Sequence, residues 1–306
     1  MNKPIFSQIT NKPVIKYNNI NHLTVQFVDD NTDIISFNDQ NQIKQYTENY
    51  FTLIYEYYNA NKLRINPQKT HFMIVCKNSL RSIFKNLIIC VDKYKISPSN
   101  TLKILGTFIR QDMKWDTEIS KLSSNLHNRI HGIRKLTTFT NFHTRLQFTN
   151  RFIIGKLRYM LPLYMNSTKD NIGRLHKVLM TAARAAIGSY CCKKSTLQIL
   201  SKCNWIPIQK LIIHSAINVI HSVINIKKPI ALLNLINIGH ETRPCKEVVP
   251  KYIPKGTWYL KFYMVQGLKI YNKIPNIIKI KSNKQFKIHF KKWILTYNDG
   301  VSDTMD

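Results

Sequence analysis

The chain has 306 residues, enough for two or three domains with a sizeable core, and 44% hydrophobic residues, which excludes a disordered polypeptide. Its formal net charge is +30, unevenly placed: residues 1–118 carry 15 Lys and Arg against 10 Asp and Glu, whereas residues 119–298 carry 31 against three, Asp170, Glu241 and Glu247. A block so basic predicts a polyanionic partner and binding that weakens steeply with salt.

Residues 1–21 are polar, contain Pro4 and Pro13, and read as a loop or edge strand feeding the next stretch. From His22 to Phe37, apolar residues (Leu23, Val25, Phe27, Val28, then Ile34, Ile35, Phe37) flank Asp29-Asp30-Asn31-Thr32-Asp33. This predicts a β-hairpin with an Asx-rich connection. The connection holds no Asn-Gly or Asp-Gly, so it is expected to be longer than two residues or bulged. The adjacent carboxylates Asp29 and Asp30 are either a solvated turn or hard oxygen ligands suited to Mg²⁺. An amphipathic helix follows over 39–61, with Asp39 as N-cap and Ile43, Tyr46, Tyr50, Leu53, Ile54 and Tyr57 inward. Its tyrosines read as packing at the core edge. Leu63–Pro67 is a turn held by the Asn66 side chain, and Thr70–Val75 is a strand. Asn86–Val91 and Leu102–Ile109 read as two strands about a Ser97–Asn100 turn. Gly106 either permits a close backbone approach or marks a strand-end bulge.

The remainder is helical and cationic. Trp115–Leu136 carries Ile119, Leu122, Leu126, Ile130, Ile133 and Leu136 as an apolar stripe, with Lys121, Arg129, Arg134 and Lys135 mostly off it. An apolar back and a cationic front suit a phosphate backbone. His143–Met165 continues similarly, with Leu146, Phe152, Ile153, Leu157 and Met160 inward, Arg145, Arg151, Lys156 and Arg158 outward, and Pro162 as terminator. Asp170–Ile187 buries Ile172, Leu175, Leu179 and three alanines before a Gly188 cap. Residues 208–226 form a further helix, in which His214 and His221 read as satisfied histidines rather than metal ligands. Beyond about Glu241, prolines and aromatics alternate with lysines. Phe286, Phe290 and Trp293 fall at helical spacing, which favours a small core over a base-stacking strip.

Three motifs stand in order: Phe27-Val28-Asp29-Asp30, Leu63-x-Ile65-Asn66-Pro67-x-Lys69-Thr70, and Leu102-x-x-Leu105-Gly106 with Trp115 downstream. In these the chain resembles the later part of a LINE-type (non-LTR) retrotransposon reverse transcriptase, over about residues 20–295. The resemblance implies an α+β fold: a partial antiparallel polymerase palm at 1–114 with a double-Asp hairpin, a helix and a primer-grip hairpin. A basic, mostly α-helical thumb and connector at 115–240 and a mixed C-terminal subdomain at 241–306 follow. It implies RNA-directed DNA polymerase activity by two-metal nucleotidyl transfer. Asp29 and Asp30 would bind Mg²⁺, Lys69 would lie near the triphosphate, and Leu105 and Gly106 would belong to the primer grip. Lys121, Arg129, Arg134, Lys135, Arg145, Arg151, Lys156 and Arg158 would line the nucleic acid. The implied partners are an RNA template, a DNA primer and a dNTP, and the implied location is the nucleus. None of the 28 residues before Asp29 is Asp or Glu. The fingers and first half of the palm, with a further metal-binding Asp, are therefore expected from upstream coding sequence or a separate chain.

Cys76, Cys90, Cys191, Cys192, Cys203 and Cys245 have no zinc-site spacing and read as buried reduced thiols. No signal peptide and no membrane span are expected. The competing functions are a catalytically inactive nucleic-acid-binding remnant and an unrelated helical scaffold whose lysines reflect AT-rich coding. Compositional drift would not strip acids from one segment and leave them in another, which favours nucleic acid.

Overall fold

The computed structural model describes residues 21–27, 30–37, 39–66, 68–91, 94–188, 195–239, 247–251 and 263–297. The chain divides into two compact units, Met1–Met113 and Lys114–Asp306. It is mixed α+β, mostly helical, and its sheets are small and antiparallel.

In the first unit, β1 (Asn21–Phe27) and β2 (Asp30–Ser36) form an antiparallel hairpin in register from Asn21↔Ser36 to Phe27↔Asp30. Helix α1 (Gln42–Ala60) buries Tyr46, Tyr50 and Ile54, one residue per turn, and Ile35 and Phe37 of the hairpin pack on them. Phe37 meets Tyr46 edge to face at 5.3 Å. The expected N-cap shifts: Asn41 occupies that position without a capping bond, while the Asp39 carboxylate accepts the Asn41 amide at 2.9 Å. Leu53, expected inside, is exposed. β3 (Ile89–Val91) lies beside α1, where Glu48 Oε1 accepts the Cys90 amide at 3.0 Å.

Two strand expectations are corrected. Thr70–Val75 holds only an isolated bridge, Phe72 to Pro98, because neither neighbour offers it a continuous ladder. The single hairpin expected over 86–109 is two. β3 pairs with β4 (Tyr94–Ile96), and β5 (Thr101–Ile104) pairs with β6 (Thr107–Arg110). Among the described residues the three hairpins of this unit remain separate two-stranded sheets.

The second unit is built on one continuous core running from Trp115 to Ile294. α2 (Asp116–Lys135) buries Ile119, Leu122, Leu126, Ile130 and Ile133, and it opens on acids and closes on Arg134 and Lys135, as the helix dipole favours. α3 (Phe142–Thr149) runs through a π turn at Asn150–Ile154 into a last helical turn, Gly155–Arg158. It ends before Pro162, with Tyr159 extended and Met160 left-handed. α4 (Lys169–Ile187) packs on α2, buries its alanines and closes on Gly188 at φ 79°. α5 (Thr196–Lys202) starts with a Ser195–Gln198 capping box. α6 (Ile208–Ile226) is buried among its neighbours, and β7 (Ile236–Ile238) pairs with β8 (Val248–Pro250). α7 (Tyr263–Lys273) and α8 (Asn283–Thr296) pack on α6. Phe286 and Phe290 are fully buried, so these two aromatics belong to the core.

Candidate functional site

Asp29 and its neighbour Val28 lie outside the described residues. The Phe27↔Asp30 register leaves just these two residues between the strands, a shorter connection than expected. Asp30 to Asp33 therefore belong to β2 instead of a turn. The reason is cross-strand satisfaction: the Asp33 carboxylate accepts hydrogen bonds from Thr24 Oγ1, its partner on β1, and from Asn31 Nδ2. Alternation along β2 separates the two acids. Asp33 shares the inward face with Ile35, whereas Asp30 is exposed on the other. Behind the hairpin, the Tyr50 hydroxyl hydrogen-bonds Asp33, and burial first, then that carboxylate, pushes the phenol well above its ordinary value. Asp33 was passed over in the sequence as part of a polar turn. Its even spacing from Ile35 was the signal.

Among the described residues, no three His, Cys, Asp or Glu side chains gather as a metal-holding group. Asp30 alone offers an open carboxylate there, and one or two carboxylates with substrate phosphates is the ligand set that suits Mg²⁺.

Lys69 is exposed in a turn that Asn66 organises, its Oδ1 accepting the Gln68 amide at 3.0 Å. Leu105 and Gly106 form the β5–β6 turn, both left-handed at φ 47° and 83°, which is a type I′ geometry. A Cβ on Gly106 would meet nothing within 4 Å. The glycine thus serves the turn's dihedral, and the regular two-residue turn replaces the strand-end bulge.

In the second unit, Lys121, Arg129, Arg134 and Lys135 are all exposed. Lys121, Arg129 and Lys135 fall within about a third of a turn on α2, and Arg134 flanks the other edge of the apolar stripe. Arg129 is tethered, donating to Asn125 Oδ1 at 3.0 Å and to the Phe152 carbonyl at 3.3 Å. Along α3 and the turns after it, Ile153 and Leu157 are buried and Leu146 packs on the core as expected, but Arg145 and Phe152 exchange places. The buried line is Arg145, Thr149, Ile153 and Leu157, and Phe152, expected inside, is 50% exposed. Arg145 is 7% exposed and donates to the carbonyls of Ala186, Ile187, Thr137 and Thr140, so it is a structural cation and unavailable to nucleic acid. Arg151 and Arg158 are exposed, with burial of its surroundings lowering the Arg158 pKa. Lys156 Nζ sits 5.3 Å from the Tyr159 ring. The π turn changes the helical register, and Trp205 Nε1 anchors it by donating to Asn150 Oδ1 at 2.9 Å.

Compared with known proteins, the chain matches no family model, and no curated protein or solved structure resembles it significantly.

His214 Nε2 donates to the Lys287 carbonyl at 3.3 Å and the ring shares a bond with Asn218, while the buried His221 shares bonds with Tyr271 and Asn225, so both are satisfied within the fold. Of the described cysteines only Cys203 is buried. Cys76 is half-buried and Cys90 is exposed, which corrects the uniform burial expected. Cys191, Cys192 and Cys245 lie outside the described residues, as do Trp258, Tyr259 and Phe262. No helix among the described residues is long and apolar enough to cross a membrane.

Proposed function

We propose that this chain is the carboxy-terminal part of an RNA-directed DNA polymerase of the LINE type, its helical unit binding a primer–template duplex. The observation that carries the reading is the division of labour on α2: a buried apolar stripe on one side, and Lys121, Arg129 and Lys135 in solvent on the other. This helix opens a segment with 31 cations and three acids. A cationic helix face held by an apolar back neutralises phosphates without reading sequence. The motif order Phe27-Val28-Asp29-Asp30, Leu63 to Thr70, and Leu102 to Gly106 supports the polymerase part, as do the open carboxylate of Asp30 and the solvent-facing Lys69. Asp29 and Asp30 would hold Mg²⁺, which when bound supplies charge neutralisation at a triphosphate and activation of a primer hydroxyl. Lys69 would stabilise negative charge leaving with pyrophosphate.

The test is fluorescence anisotropy with an RNA–DNA primer–template. About four phosphate contacts predict an affinity loss of roughly a hundredfold between about 50 and 200 mM salt. Weak binding that ignores salt would remove the nucleic-acid reading altogether. Mg²⁺-dependent primer extension that Asp30→Asn abolishes would carry the polymerase reading. Salt-dependent binding without extension would reduce it to a duplex-binding protein.

A further inference from the structure

Between α2 and α3 lies an open groove of about 370 Å³, lined by Arg129, Gly132, Ile133, Leu136, Phe148 and Phe152. Its wall is a pair of solvent-facing rings. Phe148 is 39% and Phe152 50% exposed, their centroids 6.0 Å apart and their planes 16° from parallel. Gly132 leaves the floor open, since a Cβ there would meet nothing within 4 Å. The Arg129 guanidinium, held by the Phe152 carbonyl and Asn125, stands at the rim. Phe139, 84% exposed, lies in the connection between the two helices, and Tyr159, 41% exposed and capped by Lys156, ends the final turn of the helical run that α3 begins. Within the groove itself, Phe148 and Phe152 lie side by side in solvent over Ile133 and Leu136, and adjoining exposed apolar side chains of this kind mark a binding surface.

We propose that this groove stacks unpaired bases of a single-stranded nucleic acid. The inference rests on the reading of this unit as a nucleic-acid binder, and it adds a second substrate form, a single strand beside the duplex. Charge selects the occupant. A second copy of the chain would bring the same excess of cations, and an apolar protein segment would leave Arg129 and its exposed neighbours Lys135 and Arg151 without anions. A nucleic-acid strand supplies flat apolar faces and phosphates together, the combination that aromatic rings set among cations recognise. The π turn that carries Phe152 is the kind of helical irregularity found at functional sites.

The experiment uses the full chain and a 15-residue oligo(dT) with one central 2-aminopurine. Binding is expected to quench the 2-aminopurine emission. The double variant Phe148→Ala with Phe152→Ala is expected to lose roughly ten- to hundredfold in affinity for this strand. Affinity for a blunt duplex should stay within about twofold, because helical stacking hides its bases. Phe148→Leu with Phe152→Leu keeps apolar volume against Leu136 without a flat ring, and it should lose the quenching while keeping the wild-type circular dichroism. Unchanged emission on binding, or equal losses for strand and duplex, would overturn the groove and leave the duplex reading standing. Absence of binding to both probes would overturn the two together. Unchanged emission with dimerisation, or with binding to anionic vesicles, lost in the double variant would give the groove to another occupant and refute the proposal.

Discussion

The guanidinium of Arg145 sits among backbone carbonyls from the end of α4 and the turn after α2, where the partial negative charge of a helix C-terminus stands in for a counter-ion. Gly188 is shaped to it: a Cβ there would come 2.9 Å from Arg145 Nη2. Arg145→Ala would strand those carbonyls and should cost about 2–3 kcal/mol. Thermal melts should show the loss, while the folded variant keeps its affinity for duplex. Lys121→Gln should do the reverse. The position of Arg145 could be read from the sequence, since it lies four residues before Thr149 and eight before Ile153, on the buried line. Residue type misled, because a cation is assigned to solvent unless an acid is near, and backbone acceptors leave no mark in a sequence. Asp33 was missed for the matching reason: its donors, Thr24 and Tyr50, come from other elements.

At the scale of elements, the long helices were legible and the short strands were not. α2, α4 and α6 follow their apolar spacing closely because 19 or 20 residues repeat the same face five times. The hairpins of three or four residues per strand carry too few alternations to fix a register, and the Leu105–Gly106 turn lies in the middle of what reads as one strand. The pairing of α6 with α8 has a titration consequence. His214 stacks on Phe290 at 5.5 Å and His221 on Phe286 at 3.6 Å. Burial pushes both imidazoles down to about 4, against a partial offset from backbone hydrogen bonds; Arg158, Lys291 and Lys287 lower His214 further. Unfolded imidazoles titrate near about 6.5. Between there and about 4, the unfolded chain binds more protons, so stability is full above that upper limit and falls as pH drops through the window. Urea melts across this range should show the decline, and His221→Phe should remove about half of it, leaving the part that His214 contributes.

For the molecule as a whole, the division of charge was plain in the sequence, whereas the extent of the cores was not. The helices after Glu241 join the core that begins at Trp115, because α7 and α8 supply the aromatic faces that α6 lacks. That single core is wrapped in cations. Residues 119–298 set 31 against three acids, and their mutual repulsion opposes the compact state. Salt at about 0.1 M screens charges more than about 10 Å apart. Calorimetry should therefore find the melting temperature rising by several degrees as salt increases from about 20 to 300 mM. A flat or falling trend would mean that neighbouring groups already neutralise the cations. If the melting temperature rises as expected, dissolved anions supply most of the counter-charge that three acids among 31 cations leave unmet. A polyanion arriving on this surface would then release those small ions and take over their screening, so binding and stability should respond to salt in opposite directions.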